Sequence, residues 1–111
     1  MQYMNLVFAK HDTHPYPYPI LFAAPLDQTI KKGTRIVVKT RRGMAEAVAT
    51  AQSFIAPAQT AKVIVENHGG YYPPAPVLAT IQTEMTPTRV VTVLDCGSCE
   101  DVEKYMHEKE N

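Results

Sequence analysis

Cys96 and Cys99, the only two cysteines of the chain, stand three positions apart in "LDCGSCEDVEKYM" (94–106). They sit where an apolar run ends and a charged helical pattern begins. A thiolate there would be stabilised by the N–H groups and dipole of the following helix, as in thiol-redox sites. Two features oppose that chemistry. Asp95 and Glu100 flank the pair, and neighbouring negative charge raises a thiol pKa. A redox fold also wraps βαβ units around such a motif, whereas no strand follows this one.

Zinc is the second chemistry this spacing suits. His11 and His14, in "HDTH", are also three apart. With Cys96 and Cys99 they would supply the two nitrogens and two sulfurs of a tetrahedral site. The two pairs are far apart in sequence, however, and "HDTH" falls in a loop. The bland reading is one cysteine ending a strand, another in a first helical turn, and surface histidines. That reading is preferred, so no cofactor, metal or catalytic residue is expected. A thiol-redox or zinc-binding protein built on Cys96-Gly97-Ser98-Cys99 is kept as the alternative function.

Charge gives a broader signal. Eleven basic and eleven acidic residues bring the formal net charge to zero. That balance removes any global electrostatic pull towards nucleic acid or a membrane. The distribution is uneven all the same. Lys31, Lys32, Arg35, Lys39, Arg41 and Arg42 lie within twelve residues that contain no acid. From Asp95 to Asn111 six acids face two lysines, a local charge of −6 + 2 = −4. A cationic segment and an acidic tail in one neutral chain point to contact surfaces.

Elements must position these groups. A chain of 111 residues, 45% apolar and 20% charged, is expected to form one globular domain over 1–111. The N-terminal stretch has no cationic leader, and no apolar run nears the ~20 residues that cross a bilayer. A cytoplasmic protein with no membrane contact is the expectation. "NLVFA" (5–9) and "ILFAA" (20–24) read as strands, separated by the proline-rich loop "KHDTHPYPYP" (10–19). In "TRIVVKT" (34–40) Ile36 and Val38 point to one face, while Arg35, Val37, Lys39 and Arg41 point to the other. Arg41-Arg42-Gly43 supplies a tight turn in which glycine can take positive φ. The result is a hairpin with an apolar inner face and a cationic outer face and tip.

Residues 44–55 fit either periodicity, and the strong strand and short turn before them favour strand. After Pro57, Ala61, Ile64, Val65 and His68 fall at helical spacing, with Gly69 placed to end the helix. The β-branched run Val63-Ile64-Val65 pulls the other way. "VLATIQT" (77–83) and "TRVVTVLD" (88–95) read as further strands. Ser98, with Asp101 three residues on, predicts the cap of a C-terminal helix over about 98–109. The fold class is therefore mainly β: a small SH3-like barrel or bent antiparallel sheet, a C-terminal helix, and room for one short internal helix.

The stretch "AAPLDQTIKKGTRIVVKTRRGMAEAVA" (23–49) resembles a recurring small-barrel pattern, "xxGDxVVVxTxxG" followed by a returning strand. It is similar to the N-terminal DNA-binding barrel of primosomal helicases and to small barrel proteins of phages and mobile elements. The motif here is "KKGTRIVVKTRRG", with Thr34 in place of the usual acid. The resemblance implies a barrel-like fold and a binding role, and brings no catalytic residue. The expected function is thus a non-catalytic binding or assembly module using the 31–42 hairpin. Its expected partner is a protein or a second copy of the chain, with nucleic acid as the other candidate. Tyrosines of "HPYPYP" and "YYPP" would offer stacking surfaces in that second case.

Overall fold

The computed structural model describes residues 2–11, 19–68, 72–83, 89–94 and 99–110. In chain order the elements are β1 (Tyr3–His11), β2 (Ile20–Ala24), β3 (Arg35–Thr40), β4 (Gly43–Ala49), β5 (Phe54–Pro57), α1 (Ala58–Asn67), β6 (Val77–Thr83), β7 (Arg89–Val93) and α2 (Cys99–Glu110). The strands form one antiparallel sheet in the order β2-β1-β4-β3-β6-β7. β5 follows β4 along the same edge of β1, which meets β4 through Ala9–His11 and β5 through Tyr3–Leu6. Residues 44–55 are therefore extended, as expected, with a break at 50–53. Ser53 holds the break: its N–H donates to Ile30 O, and Ile30 N–H donates to Ser53 Oγ, both at 2.8 Å.

The sheet bends back on itself until Ala23 of β2 bridges Pro76, just ahead of β6. The bend stops short of closure, so of the two expected forms the sheet takes the bent antiparallel one and not the closed barrel. Two local facts explain the gap. Pro76 has no N–H to donate across the seam. From Ala79 onward, the edge of β6 that β2 would need is already paired with β7.

The concave face holds the largest core cluster, including Val7, Phe22, Ile36, Val38, Ala47 and Ala49. Alanines on the inward positions of β4 leave room for the tight bend, while Phe22 and Ile36 fill the centre. Both helices lie on the convex face. Ala61 and Val65 of α1 pack against Leu6 and Leu21. Val102 and Met106 of α2 pack against Val37, Leu78 and Ile81. The stretch 58–67 is helical despite its β-branched run because the Ala61/Val65 stripe has an apolar surface to cover. Gly69 and Ser98, expected to cap the helices, lie outside the described residues. Among those described, no helix is long and apolar enough to cross a membrane.

Val37 corrects the expected surface of the hairpin. It does lie opposite Ile36 and Val38, but that face is roofed by α2 and Val37 is fully buried. β3 is an interior strand of the sheet with an apolar layer on both sides, and such strands read as continuous apolar runs.

Among the described residues, Asn5 is the buried polar one, 2% exposed. Its Nδ2 donates to Pro25 O at 2.8 Å and to Gln28 O, holding the 25–30 loop onto β1. Asn5→Ala should cost about 1–3 kcal/mol in urea unfolding, because the half-buried Pro25 and Gln28 carbonyls lose the Asn5 amide, and Pro25 O keeps only the Gln28 N–H. An unchanged midpoint would mean that water replaces the amide at no cost.

Candidate functional site

The hairpin is built as its residues dictate. Gly43 takes φ +111°, while Arg41 and Arg42 stay out of the positive region. Thr40 Oγ1 donates to Gly43 O at 2.9 Å and accepts the Arg42 N–H at 3.2 Å, clamping the turn from within. At the other end of β3 the turn through Lys31–Thr34 uses Gly33 at φ +90°, with Thr34 N–H donating to Lys31 O at 3.1 Å.

These two turns separate the six expected contact residues. Lys31 and Lys32 stand exposed at one end of β3, and Arg41 and Arg42 at the other. Between the two pairs lies β3, whose six residues alone span roughly 17 Å. Arg35 and Lys39 lie between the ends, and each meets an acid of its own chain. Arg35 Nη1 is 3.5 Å from Glu46 Oε1, and the Glu46 side chain is only 10% exposed. Tyr105 of α2 donates its hydroxyl to Glu46 Oε2 at 2.9 Å. One carboxylate thus ties β3, β4 and α2 together. Lys39 Nζ lies 4.0 Å from Asp101 Oδ2, with both side chains more than half exposed. A pair that wet contributes at most about 1 kcal/mol and leaves Lys39 available to a partner.

Between the hairpin tip and α2 runs a groove of about 410 Å³. Lys39, Gly43 and Met44 line one wall; Asp101, Lys104, Tyr105 and Glu108 line the other. Two cations, Lys39 and Lys104, and two acids, Asp101 and Glu108, share this lining with Met44 and Tyr105. Such a surface can bind charged groups by complementarity.

The cysteine and histidine candidates are placed only in part. Cys99 is a free, exposed thiol in the first turn of α2. Cys96 and His14 lie outside the described residues. The ring of His11 packs edge-on against Phe22, with centroids 5.3 Å apart, at the end of β1. Among the described residues no group of three or more His, Cys, Asp or Glu is arranged to hold a metal. Tyr16, Tyr18 and Tyr71, named as stacking surfaces, also fall outside the described residues. Tyr72 is described and donates its hydroxyl to Met4 Sδ at 3.4 Å.

Glu46, Lys104 and Tyr105 belong to the candidate site but were not singled out from sequence, and Asp101 was read only as a capping acid within the acidic tail. One signal was available for Glu46, which is the single acid in the two arms of the hairpin (34–50). The α2 residues gave only the negative charge of the tail, since their place against the hairpin is a long-range relation. Neither a protein-family model, nor a curated protein, nor a solved structure matches this chain.

Proposed function

We propose that the chain is a non-catalytic binding or assembly module that contacts a protein partner through the hairpin tip and the adjoining face of α2. The observation that carries this reading is the groove whose lining Lys39 and Lys104 share with Asp101 and Glu108. A protein surface bearing both signs satisfies such a pattern, and complementary charge sets partner choice and encounter rate. A phosphate backbone would meet the acids as well as the cations. Arg41 and Arg42 at the tip supply donors that fork onto carboxylates.

Nucleic acid is the second reading, favoured by the four exposed cations at the two ends of β3. The strand between them, β3, is itself roughly 17 Å long, so one nucleic-acid strand would have to present several successive phosphates to reach both pairs. The likeness of 23–49 to a DNA-binding barrel supports the same reading.

The Arg41→Ala/Arg42→Ala variant tests both. A photo-crosslinker at Met44 should trap a discrete protein adduct in cells that the double variant loses. Fluorescence anisotropy with a single-stranded oligonucleotide should show weak binding and a log–log salt slope below about 1. A slope of about 3–5, flattened by the double variant, would move the assignment to nucleic acid, since each phosphate contact adds roughly 0.7–0.9. If neither adduct nor oligonucleotide binding responds, the cationic hairpin is a solvated face and both readings fail.

A further inference from the structure

β7 is a terminal strand of the sheet, and its outer edge, unpaired among the described residues, has a definite polarity. Leu94 N–H donates to Leu78 O at 2.8 Å, which sets the phase of the β6–β7 ladder. Antiparallel ladders alternate, so Thr92 bonds to Thr80, while Val91 and Val93 direct their N–H and C=O groups away from β6. Among the described residues, nothing bonds to those outward groups. The same two valines line a groove of about 320 Å³ whose other wall is Val102, Glu103, Met106 and His107 of α2. An open strand edge beside an apolar groove is the geometry that accepts an added strand.

We propose that this edge pairs with the same edge of a second copy of the chain, forming a homodimer whose sheet runs continuously through both protomers. Three observations favour a second copy as the occupant. First, a strand edge paired antiparallel with itself is self-complementary about a two-fold axis. Second, α2 would lie antiparallel to the partner's α2, bringing the Glu103 carboxylate opposite the partner's His107, and the reverse. Both side chains are exposed on the groove wall, and among the described residues neither has an ion-pair partner. Third, the net charge of zero means that two copies meet without mutual repulsion. Of the other edges, β2 at the far end of the sheet is bridged to Pro76 at Ala23, and β5 ends in Pro57, the kind of residue that discourages added strands. β7, "RVVTV", carries no proline and no charge after its first residue.

Light scattering on the full chain should give twice the 12.4 kDa of one chain. Val91→Pro removes an N–H that points outward, so the β6 ladder survives and the protein should become a folded monomer. Thr92→Pro removes a ladder N–H and should unfold it instead. Glu103→Lys should weaken the dimer about tenfold or more, and adding His107→Glu should restore most of that loss, since the swap again sets an acid opposite a hydrogen-bond donor. Both positions are exposed, so this pair of variants decides the matter even if Val91→Pro fails to fold. A parent chain that stays monomeric up to about 1 mM would overturn the proposal and leave the edge to a foreign peptide. A dimer indifferent to the charge swap would overturn it as well, because the copies would then meet elsewhere.

Discussion

Ile36→Ala is expected to destabilise the protein by about 2–5 kcal/mol, while Lys39→Ala changes stability by less than about 0.5. The two residues lie three apart on one strand, yet their surroundings differ completely. Ile36 is fully buried at the centre of the concave cluster, between β4 and β6. Removing its side chain loses the transfer energy of three carbons and leaves a cavity that a bent sheet, held by ladders on both sides of β3, cannot collapse to fill. Lys39 loses only a 4.0 Å contact between two half-solvated charges. Urea unfolding of both variants checks this, with the slope expected to match the parent. The reverse order of effects would mean that β3 faces the other way.

Val37→Asp is expected to cost about 3–5 kcal/mol and to loosen α2 selectively. The new carboxylate would sit against Val102 and Met106, with no donor placed to meet it. Hydrogen exchange should then report faster opening of α2 than of β1, whose apolar partners lie in other clusters. If Val37→Asp were as mild as Lys39→Ala, α2 would not be docked on the hairpin. The groove proposed as the binding surface would then not exist.

That second expectation marks where sequence reading stopped. The hairpin, its apolar inner face and its glycine turn follow from local chemistry, and Gly43 takes positive φ as the "RRG" turn requires. The same alternation placed Val37 among cations and made that face look solvent-facing. A single valine there was the available hint that a second layer covers it. The acidic tail was legible as charge, but not its destination: Asp101 and Tyr105 reach the hairpin across 62 and 59 residues of chain, through Lys39 and Glu46. A cation already facing an internal acid is a different kind of contact from one in open solvent, and only the packed chain distinguishes them.

Residue types and spacing were sufficient for the mainly β character, the strands at 20–24 and 77–83 and the C-terminal helix. Each depends on interactions within a few residues, where proline, glycine and apolar periodicity act directly. For 58–67 residue types and spacing left helix and strand in balance, and packing of Ala61 and Val65 decided it. Closure of the sheet, the two-sided burial of β3 and the meeting of α2 with the hairpin were decided by tertiary structure. They depend on which strand reaches a shared edge: β7 takes the β6 edge from Ala79 on, and Pro76 cannot donate across what remains. Competition of that kind lies between segments distant in sequence, and no local pattern records its outcome.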